Sequence, residues 1–545
     1  MMNDQSASAF KINPADDLIV ALKDLPCDSF VTVDGVDYQL LENIKAKHKF
    51  AARDFMVAQR LTQYGITVGE AIVPILKGQA ITTQNVRHCV QGYEINAQQY
   101  QWQPPCVDEY QQQTFQGIIR ENGAVATANY WLVVPLVFCQ NRNIEMMRNA
   151  LQDLLGYSNE SHYIDLAKNL VEQYKSGNSD NVVSSKETER VFANVDGVKF
   201  ITHTAGCGGT RDDALALCKL LAGYIHHPNV AGATVLSLGC QNAQISLLKE
   251  QLAVLEPQGD TPVLYFEQQE YGQERLMIEA AISQTLTGLA GANKYQRQSA
   301  PLSALKIGVE CGGSDGFSGL SANPLIGAVV DKLVALQGSA ILGEFPELCG
   351  VEQNILNRCV SNALREKFSQ LMTAYQRHAL AVGASFDMNP SPGNIRDGLI
   401  TDAMKSAGAA LKGGSSAIQD VLDYTEVVKK TGLNLLCTPG NDVESTTALV
   451  ASGANLVLFS TGLGTPTGNP IVPVLKISSN SKTARHMSDI IDFDAGPIIE
   501  GTDSLDALAN KLFDLCIDSA SGSYQCHAVR LGQDDFIPWK RGVSL

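Results

Sequence analysis

Over the first hundred residues apolar and polar positions alternate in short runs broken by turn residues, as in FKINPADDLIVAL and SFVTVDGVDYQLL. A period of two marks strands that bury one face. Asp34-Gly35 stands between two such runs and predicts a hairpin, because both residues accept the positive φ of a tight two-residue turn. The stretch QGYEINAQQYQWQPPCVDEYQQQ, with Pro104 and Pro105, follows neither period and reads as a linker. From Phe115 the texture changes to apolar runs alternating with helical patterns: NYWLVVPLVF, MMRNALQDLLG, VKFITHTAGCGG, DALALCKLLAGYI and GATVLSLGC. Strand, helix, strand in that order predicts a parallel sheet. A second series of the same kind starts at LKIGVECGGSDGFSG and runs through PLIGAVVDKLVALQ, SAILGEF, LNLLCTPGND and NLVLFSTGLGTP. The polar insert SGNSDNVVSSKETER between them reads as a surface loop.

The fold class is therefore α/β: a small β domain over residues 1–100, a linker over 101–114, and two α/β portions with mainly parallel sheets over 115–300 and 301–545. At 545 residues the chain exceeds what one core supports. Few packing contacts should cross so polar a linker, so residues 111–545 are expected to fold without the β domain.

Charge narrows the function. Lysine and arginine total 41 against 57 acidic residues, a formal charge of −16, which repels nucleic acid and anionic membrane surfaces. An anionic substrate then needs a locally positive pocket or a metal. The N-terminal segment carries no basic run followed by an apolar one, and no stretch of about 18 apolar residues occurs; a cytoplasmic protein is expected. The 13 cysteines, an odd number scattered from Cys27 to Cys526, do not form a disulfide framework.

Three segments share one design, an apolar strand followed by a cysteine among glycine or amide residues: Cys207 in FITHTAGCGG, Cys240 in VLSLGCQN and Cys311 in KIGVECGGSDG. Thiolates at strand ends suit a metal or an iron–sulfur cluster, and buried apolar cysteine is the competing reading. His203 reads as a ligand, a base or a hydrogen-bonded interior histidine. Glu344 and Glu347, just past a strand, read as acid, base or cation ligand, or as an exposed turn. NPSPGN, from Asn389 to Asn394, reads as a rigid turn. Neither glycine-rich turn has the spacing of a dinucleotide or phosphate-binding loop.

At these segments the chain resembles the altronate and galactarate dehydratase family: KHKFA, QYGITVG, THTAGCGG, HHPN, LSLGCQN, ECGGSDGFSGLSANP, NPSPGN, TPGND, FSTGLGTPTG and IDFDAG span it nearly end to end. The resemblance implies an N-terminal SAF (β-clip) domain, dependence on ferrous iron, and loss of water from an aldonic or aldaric acid to give a 2-keto-3-deoxy acid. It implies Glu344, Glu347 and His203 as catalytic residues. Cys139, Cys207, Cys240 and Cys311 become metal ligands, with Cys207, Cys240 and Cys311 expected to meet at one iron. His48, Lys49, Ser314, Asp315, Asn323, Asn394, Asn441, Asp442 and Thr465 become substrate contacts. The partner is a small sugar acid, with homo-oligomerisation left open. Where the family carries basic or aromatic residues, this chain has Ala128, Ile395, Leu463 and Thr467, and its SAF part reads Thr82-Thr83-Gln84-Asn85. These departures bear on which acid is used. A lyase acting on a sulfonated hydroxy acid and a non-catalytic sugar-acid binder are the alternatives.

Overall fold

The computed structural model describes residues 7–95, 100–158, 162–176, 189–255 and 261–544; most of the insert SGNSDNVVSSKETER lies outside them. The N-terminal domain is built from short antiparallel pairings. Leu18–Ala21 pairs with Ala9–Phe10 and Lys49–Ala51, and Phe30–Val33 turns at Asp34-Gly35 into Val36–Gln39. Asp34 and Gly35 have φ of 50° and 76°, the turn that the dipeptide predicted. Ile66–Ala71 pairs with Arg60–Gln63 and Val86–Arg87.

The middle portion is entered and left through an antiparallel ribbon, Thr114–Ile119 against Arg297–Pro301. Inside it lie four parallel strands, β1 (Tyr130–Pro135), β2 (Gly197–Phe200), β3 (Val230–Ser237) and β4 (Val263–Glu267), in the order β2-β1-β3-β4. β1 and β3 are buried along their whole length, which is why their sequences are continuous apolar runs rather than alternating ones.

The C-terminal portion holds seven parallel strands: β5 (Lys306–Cys311), β6 (Ser339–Leu342), β7 (Ile418–Leu422), β8 (Gly432–Leu436), β9 (Leu456–Thr461), β10 (Val474–Ser478) and β11 (Phe493–Asp494). Their order is β7-β8-β6-β5-β9-β10-β11. The chain starts in the centre at β5, moves to one side, and returns to β9 on the other. The crevice at the carboxyl ends of β5 and its neighbours is where open parallel sheets bind ligands. The two α/β portions share one core. Helix Arg211–His226 packs on helix Asp442–Ala451 so closely that a Cβ on Gly223 would lie 2.4 Å from the carbonyl oxygen of Ala451.

The expectation that few packing contacts cross between the β domain and the rest of the chain is not met. Leu18, Phe55, Leu61, Val68 and Ile75 of that domain form one apolar cluster with Ile400, Ala403 and Met404 of the C-terminal portion. Lys47 reaches across to Asp315 at 2.8 Å and to Asp397 at 3.1 Å, and Thr401 donates to the carbonyl of Val68 at 2.6 Å. The linker is also docked: Trp102 Nε1 donates to Ser415 Oγ and Tyr93 bonds Ser369. A polar, aperiodic sequence says nothing of whether its side chains find partners far away in the chain. No helix among the described residues is long and apolar enough to cross a membrane.

Candidate active site

The turn after β6 sets the geometry. Glu344 takes φ 59° and ψ 57°, a left-handed conformation uncommon outside glycine and costly unless the surroundings enforce it. Here its N–H donates to Thr438 Oγ1 at 2.6 Å, and its carboxylate turns back to the end of β5, where Oε2 accepts from the N–H of Cys311 at 3.2 Å. Glu347, in the next turn, places Oε2 3.3 Å from the Cys311 sulfur. Cys311, Glu344 and Glu347 therefore form one buried group, with ligand-type atoms within 4.8 Å of each other.

Two lysines complete it. Lys412 pairs with Glu344 and Lys405 with Glu347, both in short contacts, and Lys405 also donates to Asn389 Oδ1 at 3.1 Å. Burial pushes the Glu347 carboxyl up, but Lys405 and Lys412 outweigh it and hold it below the usual range. Glu344 is raised, by burial and by the charge of Glu347. Behind it the fully buried Glu310 is raised further, by burial and by Glu344, to which it is hydrogen-bonded. Oε1 of each of these two glutamates lacks any other partner; one proton shared between them satisfies both. Burial and the two glutamates keep Cys311 a neutral thiol. Two carboxylate charges facing two ammonium groups leave the cluster balanced without a metal, and a cation there would have to displace a lysine.

A cleft of about 890 Å³ opens onto this cluster. Its wall carries Cys311, Lys405, Asn389, Asn394 and Asp442, whereas Glu344, Glu347 and Lys412 lie behind that wall. Asp442 opens helix Asp442–Ala451, whose N-terminus is capped by Asn441. Its Oδ2 lies where a Cβ on Gly312 would approach to 2.0 Å, so only glycine fits opposite it. Burial, then the charges of Glu344 and Glu347, raise its pKa to about 7, the value a proton-transferring group needs near neutrality.

Other sequence-predicted residues are bonded within the framework around the cleft. Asn394 lines the cleft and donates to the carbonyl of Ser314 at 2.7 Å. Asp315 is fully buried, bound by Lys47, Ser318, Ser479 and Asn480. Asn323 ties Gly408 to Ser460. His48 and Lys49 bond the carbonyls of Arg396 and Gly398, docking the β domain. The Thr465 N–H bonds Thr461 Oγ1, beside Gly313. His203 lies in the middle portion with both ring nitrogens engaged: Nε2 donates to the Pro135 carbonyl at 2.8 Å and Nδ1 accepts from the Ala205 N–H. Burial lowers its pKa to about 4, so it is a neutral imidazole fixing the loop that carries Cys207.

Cys139, Cys207 and Cys240 follow β1, β2 and β3, three adjacent strands, and their loops are hydrogen-bonded: Phe138 N–H to Ala205 O, Ala243 N–H to Gly206 O, and Asn242 Nδ2 to Cys207 O at 2.7 Å. Cys139 and Cys240 are exposed and Cys207 is half-buried. Cys311 ends a strand of the other sheet, where its side chain is taken up by the two glutamates. The loop after Cys207 approaches the cleft, since a Cβ on Gly209 would contact the side chain of Lys540, a cleft residue. Lys405, Lys412 and Glu310 escape a sequence reading. Only the place of Glu310 immediately before Cys311 hinted at it.

Buried acids that share protons, a titratable Asp442 and a cleft-facing ammonium at the end of a parallel sheet equip a lyase that moves protons. Known proteins agree. Models of the altronate/galactarate dehydratase SAF domain, of the second domain of D-galactarate dehydratase/altronate hydrolase, and of the D-galactarate/altronate dehydratase C-terminal part match residues 7–89, 117–293 and 302–544. The chain is 33% identical to altronate dehydratase of Escherichia coli, over 98% of this chain and 99% of the relative, and 32% identical to that of Bacillus subtilis, over 99% and 100%. It is 28% identical to the (2R)-sulfolactate sulfo-lyase subunit beta of Chromohalobacter salexigens, over 65% of this chain and 90% of the relative. The chain belongs to the altronate/galactarate dehydratase family and is a hydro-lyase.

Proposed function

We propose that the protein dehydrates an altronate-like sugar acid to a 2-keto-3-deoxy acid. The observation that carries this reading is Asp442, poised near neutral pH on the cleft wall beside Lys405. Lys405 keeps its charge through Glu347 and binds the substrate carboxylate, a charge-assisted contact of roughly 1.5–3 kcal/mol. Asp442 takes the proton from the carbon next to that carboxylate while the neighbouring hydroxyl leaves. Negative charge grows on the carboxylate oxygens during this step, so Lys405 binds the transition state more tightly than the ground state. Glu347 and Glu344 act through the lysines, as positioning residues.

Iron is the proposed cofactor. Cys311 gathers with Glu344 and Glu347, whose charges two lysines already neutralise. Cys139, Cys207 and Cys240 stand on adjacent, hydrogen-bonded strand-end loops with a face open to solvent. Their sulfurs do not gather within 4.8 Å of one another, so as they stand they suit a cluster rather than a single ion. Iron held by these thiols would supply Lewis-acid stabilisation of charge on substrate oxygens. The test is a screen of aldonic acids, aldaric acids and a sulfonated hydroxy acid for 2-keto product with anaerobically prepared, iron-loaded protein. Turnover of an aldonic acid supports the reading. Turnover of the sulfonated acid alone replaces it with a sulfo-lyase, and binding of a sugar acid without turnover on any substrate replaces it with a binder.

A further inference from the structure

A second group of metal-ligating side chains lies outside the cleft, at the seam between the β domain and the C-terminal portion. His88 follows the last strand of the β domain, Val86–Arg87. Cys349 follows the turn that carries Glu347, and Asp402 opens helix Asp402–Ala409. Their ligand atoms lie within 4.8 Å of one another. Bonds of about 2.0 to 2.3 Å to a zinc-class cation put ligand atoms within about 4.6 Å of each other, so the three are nearly at coordinating separation.

The second observation is unmet bonding. Asp402 is 1% exposed, and its Oδ2 is buried with no partner of good hydrogen-bond geometry, only the Cys349 thiol beside it, while Nδ1 of His88 is buried without a partner. A buried imidazole nitrogen without a partner and a buried carboxylate oxygen met only by a weakly donating thiol each cost free energy, and one cation would join all three. Neither ion pairs nor the family resemblance accounts for these three residues. Among the described residues no lysine or arginine pairs with Asp402, in contrast to Glu344 and Glu347.

We infer that His88, Cys349 and Asp402 bind a divalent cation of the zinc class, with one coordination position left to water or to a further ligand. Imidazole, thiolate and carboxylate together form a donor set that Zn²⁺ accepts and that hard cations such as Mg²⁺ do not favour. The cation would join an element of the β domain to two elements that bear on the cleft. Cys349 stands two residues after Glu347, and Asp402 one helical turn before Lys405. Its occupancy would thus fix the Glu347–Lys405 pair from behind, a positioning role that takes no part in the chemistry itself.

The experiment is a titration of chelator-treated full-length protein with Zn²⁺, and with Co²⁺ as a spectroscopic probe, comparing wild type with His88→Gln, Cys349→Ser and Asp402→Asn. All other cysteines are common to the four proteins, so differences report this site alone. The expected result is that each variant loses about one equivalent of tightly bound Zn²⁺, that Cys349→Ser loses part of the thiolate-to-cobalt charge-transfer absorption, and that Zn²⁺ raises Tm of wild type more than of the variants. His88 is half-buried, so His88→Gln keeps the test open where the buried Asp402→Asn disturbs folding. Equal Zn²⁺ stoichiometry and an equal Tm rise in wild type and His88→Gln would overturn the assignment. The readout is independent of turnover and stands or falls apart from the proposed dehydration.

Discussion

Oε2 of Glu347 lies 3.3 Å from the sulfur of Cys311, while its other oxygen is held by Lys405. One carboxylate thus fixes both a strand-end thiol and the cation that faces the cleft. Glu347→Gln keeps the shape and removes the charge that holds Lys405 in place. Misplacing a positioned group by about 1 Å costs on the order of 10²-fold in rate, so kcat/KM should fall by about that factor, with KM rising. Steady-state kinetics on the best substrate of the screen decide; wild-type constants in Glu347→Gln remove Glu347 from the machinery.

Asp442 predicts two opposite pH trends, one in the stability of metal-free protein and one in the turnover of iron-loaded protein. Its pKa is raised from 3.8 to about 7 in the folded state. The folded form therefore holds the proton more tightly than the unfolded chain. The resulting stabilisation is full below about pH 3.8 and is lost as pH rises through about 7. Asp442→Asn should flatten that part of a Tm-against-pH curve. Turnover should run the other way and rise through about pH 7, as the carboxylate becomes the base. A rising limb that survives in Asp442→Asn would assign the proton transfer to another group.

Gly312 is predicted to be intolerant of any side chain. A Cβ there would meet Asp442 Oδ2 at 2.0 Å and the Phe459 ring at 2.6 Å. Gly312→Ala should displace Asp442, with activity falling by at least tenfold against a modest Tm change, because a carboxylate end can swing away more cheaply than a core can rearrange. Circular dichroism melts alongside kinetics separate the two effects; full activity would mean that Asp442 does not work from this position.

Residues 111–545 expressed alone should aggregate, because removing the β domain exposes Ile400, Ala403 and Met404 and leaves Asp315 without Lys47. In the full chain, Lys47→Ala removes one partner of a buried charge that keeps its other donors, a loss of about 1–3 kcal/mol. Denaturant melts measure it, and a soluble, monomeric 111–545 fragment with unchanged stability would contradict the shared core.

Iron should follow Cys139, Cys207 and Cys240 rather than Cys311. Replacing the three by Ser should abolish iron in anaerobically purified protein, whereas Cys311→Ser retains it. Exposed thiolate ligands also predict loss of iron in air, slowed by reductant. Iron and sulfide analysis of both variants settles the matter, with iron lost only from Cys311→Ser as the opposing result.

Much of this molecule can be read along the chain. The apolar runs at NYWLVVPLVF and KIGVEC are β1 and β5, and the Asp34-Gly35 turn lies between the expected strands. Cysteine, glycine and carboxylate residues after those runs mark the sheet ends where ligands bind. Such features are legible because they depend on neighbours within a few residues: side-chain period, φ preference and capping are local.

The partners of those residues are another matter. Sheet order put β5 beside β6 and β9, and so gave Cys311 to Glu344 and Glu347 rather than to Cys207 and Cys240. Lys405 and Lys412 meet their glutamates 58 and 68 residues away in the chain, and no motif around them marks that pairing. Lys47 of the β domain is bound to Asp315 for the same reason. Amino-acid sequence by itself determined the strands, the turns and which residue types stand at the strand ends. Tertiary structure alone decided which charges are buried together, because the energy of an ion pair depends on distance and burial, neither of which separation along the chain records.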